Sequence, residues 1–552
     1  MDYRKITKSN FDLSDFQINA LNFLSENSGN LGLNAGPGTG KTEFLRMAAE
    51  FFINFGIPPS RITALAFNSD IAEEGNKKLP VHFLTMHSLS NSMLRQTAKW
   101  INTSYNLKSS KTYYAAKYFV TNRAEEYDLC FKDNNVKQLF ISALSQFLER
   151  FQTTYPLVSD ITNEQYEIIS INTKKIKGEN ADKAFFMCRD ILKLFHSTYD
   201  YFGSYKELRL YAESRLKEKT KNTWDKNFLY SINFNEMLFL PMLWGVEPPE
   251  IDILLVDEIQ DMNGLQIMFI KYLVASRYVL VGDPYQAIYG FAGAFSDSFF
   301  RVTEGLNAEI LPLSLNYRSL PKILDLARET KPDLIGFRNE SDGIVENITE
   351  SQCLEMAEPG DLIISRFNKD LVKLFIRLIS QGKPAKIMGR QSSTILINSI
   401  RAATNWGKRN YKDVYSDLAK AKDERILAAM ETLDTDAFEG ESQLIIDEFE
   451  LIFSLVESSG AKSYKDLFEY IQEIFLTSDN EERECVLLST IHKAKGLEFP
   501  RVFVLRQDEM PFSFKGQTEE DKEQELHLKL VAETRARDEL YCVEMPRGKN
   551  ES

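Results

Sequence analysis

Along the chain, unbroken apolar runs alternate with stretches whose apolar positions recur every three or four residues. Leu31-Gly-Leu-Asn-Ala35 is a short apolar strand that runs into Gly36-Pro-Gly-Thr-Gly40. Lys41-Thr-Glu-Phe-Leu-Arg-Met-Ala-Ala-Glu-Phe-Phe52 leaves that loop with the spacing of an amphipathic helix. Ile251-Asp-Ile-Leu-Leu-Val256 and Tyr278-Val-Leu-Val281 are near-continuous apolar, β-branched runs, the pattern of parallel strands covered on both faces. Each ends in a polar cluster, Asp257-Glu-Ile-Gln-Asp261 and Gly282-Asp-Pro-Tyr-Gln286, at the carboxyl end where α/β sheets bind ligands. Asn135 to Arg150 carries apolar residues at helical spacing. The pattern predicts an α/β fold.

Composition narrows the class. The 552 residues suggest about three to five domains, each able to bury a core. With 26 Gly and 17 Pro the chain is neither collagen-like nor low-complexity. Cys130, Cys188, Cys353, Cys485 and Cys542 are scattered without a CxxC pair, which reads as reduced thiols and not a disulfide frame or zinc site. The stretch from Met1 to Leu13 has no apolar signal core, and no uncharged run reaches the roughly 18–20 residues that span a bilayer. A soluble, cytoplasmic protein is expected, nucleoid-associated if bacterial. The net charge of −14 argues against a small basic protein that coats nucleic acid by charge alone. It leaves room for a local basic channel.

The candidate chemistry lies at the strand ends. Gly36, Gly38 and Gly40 permit the tight backbone that turns successive N–H groups toward phosphates, and the helix opening at Lys41 adds its dipole. Lys41 can reach the β- and γ-phosphates and the Thr42 hydroxyl can ligate Mg²⁺. The first position of the phosphate-loop pattern is Ala35, where glycine is usual. Asp257 can hold Mg²⁺ through water, and Glu258 can polarise an attacking water. Gln286 can sense the γ-phosphate, and the rings of Tyr289 and Phe291 offer either stacking faces for bases or core packing.

Taken in order, these segments resemble the UvrD/Rep-type superfamily 1 DNA helicases. Phe16-Gln17 resembles the adenine-reading glutamine motif and Ala35 to Thr42 the phosphate loop; Ala66-Phe-Asn68 and Thr85-Met-His-Ser-Leu89 resemble the first DNA-contact motifs. Asn233 to Leu238, Asp257 to Asp261, Gly282 to Tyr289, Leu315-Asn-Tyr-Arg-Ser319 and Ile387-Met-Gly-Arg390 follow in register. Thr490 to Phe499 and Val531-Ala-Glu-Thr-Arg-Ala-Arg537 complete the set. The resemblance implies two RecA-like P-loop motor domains, each interrupted by a mainly helical insertion. It implies an ATP- and Mg²⁺-binding site with Gln17, Ala35, Gly36, Pro37, Gly38, Thr39, Gly40, Lys41, Thr42, Tyr317, Gly496 and Glu498 around the nucleotide. Tyr317 is expected to stack on adenine and Glu498 to touch the sugar, while Arg318 and Arg535 reach the γ-phosphate from the second motor. Phe67, Asn68, Thr85, His87, Tyr289, Phe291, Arg366, His492 and Lys493 are expected along single-stranded DNA; for His87 and His492 a structural histidine is the alternative. The chain departs from the family at Glu43, Ser69 and Ala292, where Arg, Lys and Arg are usual. The Phe67-Asn68 context and compact length are similar to the subgroup near the F-box DNA helicases, without an F-box.

The expected division is 1–93 and 231–305 for the first motor, 94–230 for its insertion, 306–398 and 481–552 for the second motor, and 399–480 for a short insertion. Between Arg95 and Ala124 six basic residues occur with no acid and with Trp100, Tyr105, Tyr113, Tyr114 and Tyr118 interleaved. That reads either as a single-strand groove or as an amphipathic helix with a tyrosine core. From Ile426 to Ala461 nine acids occur with no Lys or Arg, a solvated face or a dock for a basic partner such as a nuclease or a replication or repair factor. Fifteen residues follow Arg537, so no C-terminal partner-binding tail is expected. The implied activity is ATP-driven 3′–5′ movement on single-stranded DNA and unwinding of tailed duplexes, in replication, repair, recombination or phage-related processes. The alternative is a nucleotide-gated DNA-sensing ATPase subunit of a nuclease or antiviral complex, and a third is action on RNA.

Overall fold

The computed structural model describes residues 2–9, 12–66, 72, 75–76, 79–97, 106–107, 111–127, 129, 134–154, 183, 186–192, 231–232, 234–290, 294–388, 393–405, 409–432, 445–446, 448–449, 452–453, 455–457, 459–476, 485–513 and 517–545. Within these, two six-stranded sheets carry the fold, and every strand pair in them is parallel. The first sheet holds β1 (Asn30–Ala35), β2 (Ile62–Ala66), β3 (Phe83–Thr85), β4 (Ile251–Val256), β5 (Ala275–Gly282) and β6 (Ala308–Leu313), in the order β3-β2-β4-β5-β1-β6. A short parallel pair, β7 (Leu315–Asn316) with β8 (Ile335–Gly336), follows. The second sheet holds β9 (Ile344–Thr349), β10 (Leu362–Ser365), β11 (Ala385–Ile387), β12 (Val486–Thr490), β13 (Phe499–Leu505) and β14 (Ala536–Glu544), in the order β9-β14-β13-β10-β12-β11.

Side chains alternate across a strand, so a strand buried on both faces must be apolar throughout. Here Leu254, Val256 and Leu280 enter one cluster, while Ile253, Leu255, Val279 and Val281 enter another on the opposite face with Phe44 and Phe51 of the helix Lys41–Asn54. The second sheet repeats the scheme: Ile363, Phe503 and Leu505 pack on one side, Leu362, Val502 and Val504 on the other. Register sets the site. β1 pairs with β5 through Leu33 and Val281, and β4 with β5 through Leu255 and Val279, so the ends of these three strands lie side by side.

The first sheet extends past residue 305, where the sequence reading closed the first motor. β6 pairs with β1 from Asn30–Ala308 to Ala35–Leu313. Pro312 is the one break at the end of this run, and nothing in the sequence says which sheet the residues on either side of it join. The described parts of the insertions share the cores of the motors. Phe119, Leu144 and Phe151 of the helices Lys111–Asn122 and Asn134–Thr154 join the cluster of Leu254, and Leu418, Tyr464 and Leu467 join that of Ile363. Of the basic stretch, Tyr118 is half-buried against the first cluster and Arg123 is bound to Glu126 at 2.6 Å; Trp100, Tyr105 and Lys108 lie outside the described residues. Of the acidic run, Glu448 accepts from Arg425 at 2.9 Å, and residues 433–444 lie outside the described residues. Among the described residues no helix is long and apolar enough to cross a membrane.

Candidate nucleotide site

The phosphate loop spans Gly36 to Gly40 between β1 and the helix Lys41–Asn54. Gly38 and Gly40 adopt φ of +67° and +83°, a region L side chains rarely enter. Thr39 Oγ1 donates to the Gly36 carbonyl at 2.8 Å and fixes the turn. At the end of β4, Thr42 Oγ1 donates to Asp257 Oδ2 at 3.5 Å, and Lys41 Nζ lies 4.0 Å from Glu258 Oε1. Glu258 itself has φ of +52°, a left-handed conformation that costs a non-glycine residue about 1–2 kcal/mol and aims its carboxylate at the loop. Gln260 ties two strand ends together: its Nε2 donates to Glu258 Oε2 and its Oε1 accepts from the Asp283 N–H at 2.9 Å. Asp283 Oδ2 in turn accepts from Gln286 Nε2 at 2.6 Å.

Burial opposes ionisation of Glu258, but the cations Lys41 and Lys495, the Gln260 hydrogen bond and Arg535 outweigh it and hold the carboxyl below its ordinary range. Asp257 moves the other way: burial, then the adjacent Glu258 charge, push it up despite Lys41. The pair is a charged base beside an acid in want of a cation.

The second motor approaches the same loop. Asn316 Nδ2 donates to the Pro37 carbonyl at 2.6 Å, and the Tyr317 N–H donates to the Gly38 carbonyl at 2.9 Å. A Cβ on Gly38 would stand 2.7 Å from Arg318 Cβ. The Arg318 guanidinium donates to Glu498 Oε2 at 2.6 Å and the Thr534 carbonyl at 3.0 Å. Arg535 is fully buried and donates to the Val531 and Leu497 carbonyls at 2.8 and 3.0 Å. Burial, and then the Arg318 charge, push it well below its ordinary value. A cleft of about 340 Å³ lined by Tyr317, Arg318, Arg338, Glu498, Arg537 and Asp538 opens on this side. The Tyr317 hydroxyl donates to Gln17 Oε1 at 3.5 Å, and the same oxygen accepts from the Ser14 N–H at 3.0 Å.

Residues 13–306 match the UvrD/REP helicase N-terminal domain and residues 341–545 match the UvrD-like helicase C-terminal domain. The chain belongs to the UvrD/Rep helicase family. It is 24% identical over 394 residues to the ATP-dependent DNA helicase PcrA of Staphylococcus epidermidis, an alignment covering 52% of this chain and 54% of the relative. PcrA of Staphylococcus aureus is 23% identical and DNA helicase II of Haemophilus influenzae 24% identical, both over the same share. The chain spans about half the length of the curated relatives it matches.

Within this UvrD-type frame, the residues expected along DNA fall into two groups. Tyr289 and His492 meet at the junction of the motors, the Tyr289 hydroxyl donating to the His492 carbonyl at 3.4 Å. Burial, with Arg366 and Lys495 nearby, pushes the His492 imidazole down to about 3, so it is neutral at physiological pH. Arg366 donates to Glu525 Oε1 at 3.0 Å, and Thr490 caps the short helix that carries His492 and Lys493. Thr85 and His87 lie apart, where β3 passes into the helix Met86–Thr97, and Thr85 Oγ1 accepts from the Ser88 N–H at 3.1 Å. Phe67, Asn68, Phe291 and Ala292 lie outside the described residues.

Several site residues were not singled out by sequence. Lys495 Nζ donates to Asp261 Oδ2 at 2.5 Å and to the Gln286 carbonyl at 2.7 Å, joining the two motors. Burial nevertheless pushes Asp261 up to about 7, with Lys495 pulling against it. Lys495 and Gln260 stand inside recognised strings, but spacing alone does not separate them from their neighbours. Glu43, at the position where the family has arginine, accepts from Arg46 Nη2 at 2.6 Å, so a guanidinium is still held on that helix turn.

Proposed function

We propose that the chain is an ATP-dependent DNA translocase that moves 3′ to 5′ on single-stranded DNA and unwinds tailed duplexes. The observation that carries this reading is the convergence of Lys41, Thr42, Asp257 and Glu258 on one glycine loop, with Asn316, Tyr317 and Arg318 of the second motor hydrogen-bonded or packed against it. Such a loop offers N–H groups to phosphates, and Lys41 adds a charge for the terminal ones. Glu258, ionised and strained toward the loop, is suited to polarise water. Tyr317 would stack on the base, with Gln17 at its hydroxyl, and Gly496 and Glu498 would flank the sugar.

The residues fit Mg²⁺. Thr42 and Asp257 are hard oxygen donors, and the upward push on the buried Asp257 carboxyl is a deficit a cation relieves. Bound there, the ion supplies Lewis-acid charge to the phosphate oxygens. Arg318 would have to leave Glu498 to reach a γ-phosphate, so nucleotide and Arg318 compete for Glu498. That exchange is the step through which nucleotide would draw the motors together. Along the junction, Tyr289, Arg366, His492 and Lys493 would contact DNA, joined by Phe67, Asn68, Thr85, His87 and Phe291. Cleft closure and opening would then move the strand.

The test combines DNA-stimulated ATP hydrolysis with strand displacement on 3′-tailed duplexes. Lys41→Ala should abolish hydrolysis. Glu258→Gln should bind a fluorescent ATP analogue as wild type does but lose turnover by roughly 10²–10⁴-fold, the scale of a general base. Normal turnover by Glu258→Gln would refute the site assignment. Robust hydrolysis without displacement would favour the nucleotide-gated subunit, and equal stimulation by RNA would reopen the choice of nucleic acid.

A further inference from the structure

Lys331 has no counterpart in the chemistry above, yet it is among the most enclosed charges of the chain. Its side chain is 0% exposed. Nζ lies 3.6 Å from Asp283 Oδ1, 3.4 Å from Asp333 Oδ1 and 3.2 Å from Asn34 Oδ1, and 4.4 Å from the centroid of the Tyr285 ring. These partners come from different bodies. Asn34 belongs to β1 just before the phosphate loop, and Asp283 and Tyr285 follow β5 of the first motor. Lys331 lies just beyond the helix Pro321–Ala327, whose Ile323 packs with Leu362 and Val502 of the second motor, and Leu334 packs with Leu530. The lysine therefore crosses from one motor to the other beneath the loop. A Cβ on Gly36 would stand 3.0 Å from its Cε.

Asp283 joins Lys331 to Gln286. It is fully buried and uses Oδ2 to accept from Gln286 Nε2 at 2.6 Å, while Lys331 stands on Oδ1. Oδ1 also accepts from the Tyr285 N–H at 3.1 Å, so a bond within the first motor and a cation of the second together hold the carboxylate plane, and the Gln286 amide is fixed by that plane. Parting the pair would leave the fully buried Asp283 carboxylate without its cation, while Lys331 would keep Asp333 at 3.4 Å. We propose that Lys331 is a positioning residue: through Asp283 it aligns Gln286 at the nucleotide and makes that alignment depend on the docking of the second motor. This rests on the reading of the site as an ATPase. It adds a second link across the cleft beside that of Lys495, which meets Asp261 and the Gln286 carbonyl.

The test uses the full chain with Lys331→Met, Gln286→Ala and the two combined, and measures kcat and KM for DNA-stimulated ATP hydrolysis. Lys331→Met should lower kcat about tenfold or more while KM stays within about threefold, because the link serves alignment and not affinity. The double variant should fall no further than Gln286→Ala alone, because residues acting through one another are not additive. A kcat within about twofold of wild type, or losses that multiply in the double variant, would overturn the proposal. Lys331→Gln repeats the comparison if the methionine variant shows no cooperative unfolding transition. Failure of both to fold would overturn the proposal in favour of a structural charge. A wild-type chain without ATPase activity sinks the functional reading instead, so the two failures are separable.

Discussion

Replacing Gly38 by alanine probes the contact on which motor closure depends. The perturbation has two parts. At φ of +67° a non-glycine residue is strained by about 1–2 kcal/mol. The new Cβ would also stand 2.7 Å from Arg318 Cβ and 2.7 Å from Asn316 Nδ2, where carbon contacts are comfortable near roughly 3.5–4.0 Å. Relief requires the segment 316–318 to withdraw by about 1 Å. That movement strains the Asn316–Pro37 and Tyr317–Gly38 hydrogen bonds, now 2.6 and 2.9 Å long and worth about 1 kcal/mol each. The backbone strain is carried whether or not the motors dock, so the two hydrogen bonds set the effect: the docked arrangement is disfavoured by about 2 kcal/mol, or roughly thirtyfold in its population. DNA-stimulated ATP turnover should fall accordingly, measured beside the affinity for a fluorescent nucleotide. Gly56→Ala is the matched control: its φ is +93°, but nothing lies within 4 Å of the added Cβ. It should lose stability and keep turnover. Turnover of Gly38→Ala within about threefold of wild type would refute the docking argument.

Other expectations concern stability. Burial pushes the Glu533 carboxyl up to about 7 against 4.5 unperturbed, with Lys529 and Gln507 pulling the other way. The folded state holds its proton more tightly than the unfolded chain, so stability is fully present below pH 4.5 and is lost as pH rises to about 7. The span amounts to about 3 kcal/mol. Glu533→Gln should flatten that part of a urea-stability profile and be the more stable protein at pH 8; parallel profiles would refute the assignment. Arg277 is buried and donates to the Gly29, Leu24 and Phe23 carbonyls at 2.8, 2.7 and 3.3 Å, joining β5 to the end of the helix Asp15–Glu26. Arg277→Met strands those acceptors at a cost of about 3 kcal/mol, which should lower the thermal midpoint by roughly 6–10 °C with turnover at 25 °C unchanged.

Much of the first motor is legible because its signals are local. A strand, a glycine turn and a helix occupy neighbouring positions from Leu31 to Phe52, and both the fold and the loop chemistry follow from that one segment. Asp257 and Glu258 are readable for the same reason, since an apolar run buried on both faces must end where its polar residues begin. The limits appear where a position takes its meaning from a distant partner. β6 looks like any half-exposed strand; only its pairing with β1 assigns it to the first sheet. Arg318 was expected at phosphate, and nothing local shows that Glu498, 180 residues on, accepts its Nε.

Lys331 is the limiting case. In Arg328-Glu-Thr-Lys-Pro-Asp333 every local cue is that of a solvated turn: charged residues, a proline and the end of a short helix. A lysine in such a setting is ordinarily exposed. It is enclosed here because two paired strands of the first sheet, β1 and β5, both far from it in sequence, bring Asn34, Asp283 and Tyr285 around it. Burial of this kind has no periodicity to betray it. The same reasoning explains why the junction residues were harder to read than the loop. A loop that binds phosphate uses backbone geometry that glycines announce, whereas contacts that transmit closure use single side chains supplied by whichever segment folds nearby. In a motor, transmission is therefore the property that sequence reading reaches last.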